Sequence, residues 1–344
     1  MSTLPQAGFR RIWNPPHPYL GEHRELLGDE PLAHPRVFED ASRAVLNRVD
    51  SPDLGFRWSV NPYRGCFHGC VYCYARTTHE YLGLGAGSDF ERLLFVKRNA
   101  ASLLDRALAR PKWRRELIAF SGVTDCYQPI EAAYRITRAC LEVCARHRNP
   151  VGIVTKSLLV RRDLDVLGQL AERAAVRVVF SIPFVDEHVT RKLEPGAPSV
   201  ARRFEAMRSL ADAGIPVGIG VAPIIPGLND ADIPELLRRA RACGATLAFR
   251  TLVRLPGSVR EVFLTRLAEE LPDRAERIAN RIRDVRGGKL SESAFGKRQV
   301  GEGAYWDAIE RLWRVWVDRL GLNGRAEPTP AVDARPAQGT LFDR

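Results

Sequence analysis

The chain is 344 residues long, 45% apolar and 27% charged, with a formal net charge of +11. At roughly 150 residues per domain that length makes about two units with room for a full core, which excludes a wholly disordered, collagen-like or tail-only protein. The basic balance permits a nucleic-acid or other polyanionic partner without requiring one; only six of the 52 basic residues are lysine, and an arginine excess is as readily a matter of codon composition as of phosphate binding.

The longest weakly polar stretch, 215–228, is 14 residues interrupted by three prolines and three glycines, too short and broken for a helix across a bilayer. No apolar run suited to a secretory signal is visible near Met1, so the expected location is cytoplasmic, with no membrane contact. Disulfides are disfavoured there. The seven cysteines, at 66, 70, 73, 126, 140, 144 and 243, are then more suited to cofactor or catalytic roles than to a disulfide framework.

In chain order, residues 1–55 carry Pro15-Pro16, Pro31 and Pro35 and one candidate helix, Glu39 to Val49, and are expected to form an N-terminal extension. From 56 to 255, short β-branched runs alternate with amphipathic stretches. The predicted strands are Leu93 to Lys97, Leu117 to Ser121, Val151 to Thr155, Val176 to Ile182, Val217 to Val221 and Thr246 to Leu252, with Trp58 to Val60 as an additional first strand or its lead-in. Between them, Leu164, Leu167, Leu170 and Ala174, and later Ile233, Leu236, Leu237 and Ala240, recur at helical spacing. Asn229 is the expected N-cap of the second of these helices, with Asp232 in its first turn.

Strands alternating with helices imply parallel β-α units whose sites lie at the C-terminal ends of the strands. Six repeats in about 200 residues make an α/β partial (β/α)6 barrel the expected fold, with an open doubly wound sheet as the alternative. Residues 256–321 read as a helical region ending in a Trp-rich amphipathic helix (Tyr305, Ile309, Leu312, Trp313, Trp316, Leu320) whose aromatics serve packing. Residues 322–344, rich in Pro, Ala and Gly, read as a flexible tail.

Cys66, Cys70 and Cys73 stand in NPYRGCFHGCVYCYAR, spaced C-x3-C-x2-C. Three thiolates on one loop suit a cubane [4Fe-4S] cluster in which one iron lacks a protein ligand and stays open to a substrate or cosubstrate. A zinc site completed by His68 is the simpler alternative. The spacing, with Tyr72 as an aromatic before the third cysteine, resembles the signature of the radical S-adenosylmethionine (SAM) superfamily. The resemblance implies a partial (β/α)6 barrel and SAM chelated to the open iron. It further implies reductive cleavage of SAM to methionine and a 5′-deoxyadenosyl radical, and an electron donor such as flavodoxin or ferredoxin.

Within that superfamily, Tyr72 and Tyr74 around Cys73 resemble the spore photoproduct lyase branch, a DNA-repair group, over about Trp58 to Leu252. On that resemblance Lys156, in VTKS, meets the SAM carboxylate and Ser181, in VVFSIPF, lies near the SAM ribose. Tyr72 and Tyr74 border the cofactors, Tyr74 with a catalytic role. Thr124, Asp125 and Glu131 are the polar candidates for the SAM amino group, Glu131 being equally suited to the first turn of a helix opened by Pro129 and running to about Arg146. The chain departs from the lyase at Gly122, where that family carries its hydrogen-donor cysteine. Cys126 is either a relocated donor or a small residue at a strand-to-helix turn. Cys140, Cys144 and Cys243 read as core.

Residues 92–115 hold eight basic side chains against Asp105, with Trp113 among them in PKWRR, a pattern suited either to a nucleic-acid backbone and base or to a solvated helix end. Gln338 to Phe342, QGTLF, resembles the short peptide by which bacterial replication and repair proteins dock on the DNA sliding clamp, with Gly339 in place of the usual Leu. The expected function is that of a radical SAM enzyme acting on nucleic acid in lyase-like repair or modification. The alternatives are a radical SAM enzyme modifying a polypeptide or small molecule, and a non-catalytic metal-bearing nucleic-acid-binding protein.

Overall fold

The computed structural model describes residues 13–21 and 35–323. Among the described residues ten strands form two sheets: β1 (Arg36–Glu39), β2 (Leu46–Arg48), β3 (Trp58–Val60), β4 (Tyr63–Arg64), β5 (Leu93–Val96), β6 (Ile118–Phe120), β7 (Val151–Thr155), β8 (Val176–Ser181), β9 (Val217–Ile224) and β10 (Leu247–Leu252). The main sheet runs β10-β9-β8-β7-β6-β3-β2, all parallel except β2, which pairs antiparallel with β3. Its pairing runs from Trp58 opposite Ile118 through Val151 opposite Val176 to Gly218 opposite Leu247, with one register shift between Arg250 and Leu252 in β10. Six parallel strands with helices in the crossovers make the partial barrel that the sequence implies.

The first strand of that barrel is β3. Leu93–Val96, counted among the six from its apolar run, lies instead in a small second sheet, parallel to β1 and antiparallel to β4. The expected helix over Glu39–Val49 is also replaced, by β1 ending at Glu39 and by β2: the apolar residues there sit at spacings compatible with either period, and strand pairing decides.

The strands read as buried parallel sheet. In β7 the burial alternates, and β9 is apolar and buried along nearly its whole length because helices cover the sheet. Gly218 and Gly220 let β10 approach β9: a Cβ would meet the Leu247 carbonyl oxygen at 2.8 Å in one case and the Phe249 ring at 2.8 Å in the other. The helices Leu164–Arg173 and Ile233–Ala242 bury the expected stripes, with Ile233, Leu236, Leu237 and Ala240 all inaccessible.

Asn229 does not cap the second of these helices, which follows a 3-10 turn over Asp230–Asp232. Its side chain instead accepts from Ile225 N and donates to the Pro183 and Pro223 carbonyls, joining two loops. The single helix expected from Pro129 to Arg146 is two, Glu131–Tyr134 and Ile136–Arg146, broken at Arg135, where φ is +53°.

In the C-terminal region three helices, Val259–Glu270, Pro272–Asp284 and Gly303–Arg319, follow β10. The last packs Trp306, Ile309, Trp313 and Val317 into the core. Cys140, Cys144 and Cys243 are buried as expected. Among the described residues no helix is long and apolar enough to cross a membrane. Gln338 to Phe342 and most of the expected tail lie outside the described residues.

Candidate active site

Cys66, Cys70 and Cys73 occupy the loop after β4. Gly65, at φ +73°, turns the chain into it, and a Cβ there would stand 2.9 Å from the Leu93 carbonyl oxygen, so only glycine fits. The loop is anchored on several sides: Cys66 N donates to Phe90 O (2.9 Å), Val71 N to Leu193 O (3.0 Å), and Phe67 N to Gln128 Oε1 (2.9 Å). Arg76, fully buried, gathers it from beneath. Its guanidinium donates to the carbonyls of Cys70 (3.0 Å), Gly69 (2.9 Å), Ala86 (3.0 Å) and Gly87 (2.8 Å), and pairs with Glu91 at 2.5 Å.

Burial pushes all three thiols up, Cys70 to about 12 with Glu194 adding to the shift, and the other two thiols raise Cys66 further. A bound metal group would supply the positive charge that lets such buried thiols lose their protons. His68, the zinc alternative's fourth ligand, faces the carboxylate of Asp125 through Nδ1 at 3.3 Å. Among the described residues no three His, Cys, Asp or Glu side chains close around a single metal ion.

Beside the loop, Lys156 follows the end of β7 and Ser181 ends β8. Lys156 Nζ donates to Ser181 Oγ (2.6 Å) and pairs with Glu194 Oε1 (3.0 Å). The same carboxylate accepts from the Tyr72 hydroxyl, and its other oxygen lies 2.5 Å from Arg203 Nη2. Burial alone would raise Glu194, but the Arg203 and Lys156 charges outweigh it and hold the carboxyl at about 2. Arg203 also donates to Ser181 O (3.1 Å) and Pro198 O (2.8 Å), tying the network to the end of β8. After Glu194 the chain closes over the cysteines: Gly196 N donates to His68 O (3.0 Å), and a Cβ on Gly196 would lie 2.1 Å from Phe67 O.

The structure thus brings Tyr72, Lys156 and Ser181 together next to the cysteine loop. Asp125, after β6, joins them through the backbone, accepting from Lys156 N (2.7 Å), Thr155 Oγ1 (2.7 Å) and Tyr127 N (2.9 Å). Thr124 is buried and donates to Tyr63 O (3.1 Å). Tyr74 lies at the mouth, 47% exposed, with its hydroxyl donating to Gly122 O at 2.6 Å. That contact puts Tyr74 against the position at which the chain departs from the lyase.

At three positions where two readings stood open, the structure favours a role in the fold. Glu131 is fully buried with both oxygens taken by protein donors: Tyr63 OH and Thr137 N on one, Arg162 Nη2 on the other. It bonds the start of the Ile136–Arg146 helix to β4 and presents no free oxygen to a cofactor. Cys126 has no accessible surface, and its carbonyl accepts from Thr137 Oγ1 at 2.5 Å, which fits the small residue of a strand-to-helix turn and not a relocated hydrogen donor. Trp113 packs edge-on against Trp58 and donates to Asn149 Oδ1 (2.7 Å), so its ring is committed to the fold. The 110–115 loop precedes β6 and therefore lies at the end of the barrel opposite the cysteines.

Glu194, Arg203 and Arg76 went unseen in the sequence. Isolated charged residues read as surface; the one local hint was Glu194 standing before Pro195-Gly196, directly after the helix Glu187–Leu193.

The Radical SAM superfamily model matches residues 60–240. An uncharacterized protein of Mycobacterium tuberculosis (strain H37Rv) is 37% identical over 306 residues, which cover 87% of this chain and 86% of that protein. A protein of Pseudomonas phage M6 named radical SAM Nalpha-GlyT isomerase is 24% identical over 76% of this chain and 52% of its own length. Among solved structures, spore photoproduct lyase complexed with dinucleoside spore photoproduct aligns with a TM-score of 0.61 at 18% identity, over 83% of this chain and 80% of that one, a likeness of fold.

Proposed function

Because the chain belongs to the radical SAM superfamily, we propose that it holds a [4Fe-4S] cluster on Cys66, Cys70 and Cys73, binds SAM at the adjacent mouth of the barrel, and acts on a nucleic-acid substrate. The observation that carries the reading is the convergence of Lys156 and Tyr72 on Glu194, with Ser181 bonded to Lys156, next to the loop of three thiols. With both groups bound, one-electron reduction of SAM supplies methionine and a 5′-deoxyadenosyl radical that takes a hydrogen atom from the substrate.

The chain's own residues bind and orient. Lys156 offers the SAM carboxylate a buried ammonium, Ser181 Oγ offers a hydroxyl toward the ribose, and Glu194 with Arg203 fixes Lys156 in place. Asp125 holds the backbone between β6 and β7, and the buried loop around the cysteines keeps water from the reacting radical. Flavodoxin or ferredoxin serves as electron donor.

A nucleic-acid substrate is supported by the net charge of +11 and by the dinucleoside in the structurally similar lyase. Gly122 and the buried Cys126 leave the lyase's cysteine without a counterpart at that position, so the reaction ends differently from photoproduct reversal.

The test is binding of the reconstituted protein to unirradiated and ultraviolet-irradiated DNA and to RNA over a range of salt. The reading expects affinity that falls steeply with salt, as counterion release requires. Weak binding with no salt dependence would transfer the substrate to the polypeptide or small-molecule class.

A further inference from the structure

The rim of the barrel mouth carries a group of arginines that the cofactor site does not use. Arg254 lies two residues beyond β10, at the strand end that faces the cysteine loop, and its guanidinium carbon is 5.5 Å from the centre of the Tyr74 ring. Among the described residues it makes no hydrogen bond or ion pair, and its Nε is buried without a partner.

Its neighbours are cationic too. Arg298 sits close enough that, after burial, it is the next cause lowering Arg254's proton affinity. Arg298 donates through Nε to Asp53 Oδ2 and through Nη2 to Ser51 Oγ, both at 2.5 Å, so it is held by the N-terminal extension. Arg286, buried behind them, donates to Val253 O (2.8 Å) and Arg298 O (3.0 Å), while its Nε has no partner. The nearby acids are committed: Asp53 to Arg298 and Gly296 N, and Glu292 to the backbone N–H groups of Ser293 and Ala294.

Arg254 therefore has no counter-ion of its own, an arrangement that costs stability unless an anion completes it. Exposed aromatic surface frames the group: Tyr74 on one side, and Phe295, 56% exposed beneath Arg298 at 4.5 Å, on the other. Guanidinium groups set among exposed rings are the chemistry by which proteins grip a phosphate and stack the base beside it.

We infer that Arg254, backed by Arg298, is a phosphodiester-binding site that fixes the substrate strand over Tyr74, so that the nucleotide next to the bound phosphate faces the cysteine loop and the Gly122 turn. The inference rests on the nucleic-acid reading above and adds to it the residue that positions the substrate. It also moves the phosphate contact from the 110–115 loop, at the far end of the barrel, to the mouth.

The experiment compares native protein with R254Q, and with R114Q as a control at the opposite end, for binding of a short oligonucleotide as salt is varied. Loss of one phosphate contact is expected to weaken R254Q about tenfold and to make its log–log salt slope shallower by about 0.7 to 0.9, with R114Q unchanged. A steep native slope that R254Q retains at native affinity overturns this inference and leaves the nucleic-acid reading standing. A flat native slope overturns both. Should R254Q fail to fold, arginine-directed dicarbonyl modification of the native protein, mapped by mass spectrometry, decides the same question: the oligonucleotide is expected to protect Arg254, and modification at an unchanged rate would overturn the inference.

Discussion

Glu194 sits without solvent contact between Lys156 and Arg203, and its charge is what lets two cations be buried beside the cysteine loop. Glu194→Gln keeps the size and removes the charge, leaving both partners uncompensated. The expected cost is roughly 3 to 5 kcal/mol of unfolding free energy at neutral pH, read from urea transitions of the two proteins. The pH dependence follows from the sign of the shift. The folded carboxyl lies at about 2, below its ordinary 4.5, so its contribution is complete above 4.5 and is lost as pH falls toward 2. The gap between native and variant should therefore narrow on acidification from pH 7, and a gap constant down to pH 3 would show that charge at Glu194 is not the cause.

At the scale of elements, the approach of β9 to β10 depends on missing side chains. Gly220→Ala would place a methyl group 2.8 Å from the Phe249 ring, and overpacking of this kind costs about 1 to 3 kcal/mol. A lower thermal midpoint is expected; an unchanged one would mean that the two strands separate freely.

The strands of this sheet were legible in the sequence because parallel strands covered on both sides are continuous β-branched runs. Which sheet a run joins was not, since Leu93–Val96 has the same composition as a barrel strand and differs only in its partners β1 and β4. The site divides the same way. Three cysteines within eight residues, and a Lys and a Ser at successive strand ends, are local patterns. Glu194, Arg203 and Arg254 acquire their roles only from residues distant in the chain that the fold brings near. Glu131 shows the converse, a residue well placed in sequence whose oxygens the fold consumes.

Across the whole molecule, positive charge falls at two ends of one barrel with different consequences. Arg110, Lys112, Arg114 and Arg115 lie before β6, at the end away from the cysteines, where Trp113 is locked against Trp58. At the mouth, Arg254, Arg286 and Arg298 gather where the parallel strands end and where Ser51 and Asp53 bond Arg298. Lys156, Ser181, the exposed Tyr74 and the Arg254 guanidinium thus share one face. The chemistry proposed for this chain belongs at that face.

The most direct test of that chemistry is reductive SAM cleavage. The protein is purified anaerobically, reconstituted with iron and sulfide, supplied with SAM and a strong reductant, and assayed for 5′-deoxyadenosine beside a variant with Cys66, Cys70 and Cys73 all replaced by Ala. The account predicts turnover by the native chain and none by the variant. A native protein that carries a well-formed cluster yet releases no 5′-deoxyadenosine, or that is isolated with zinc on the three thiolates, would contradict it.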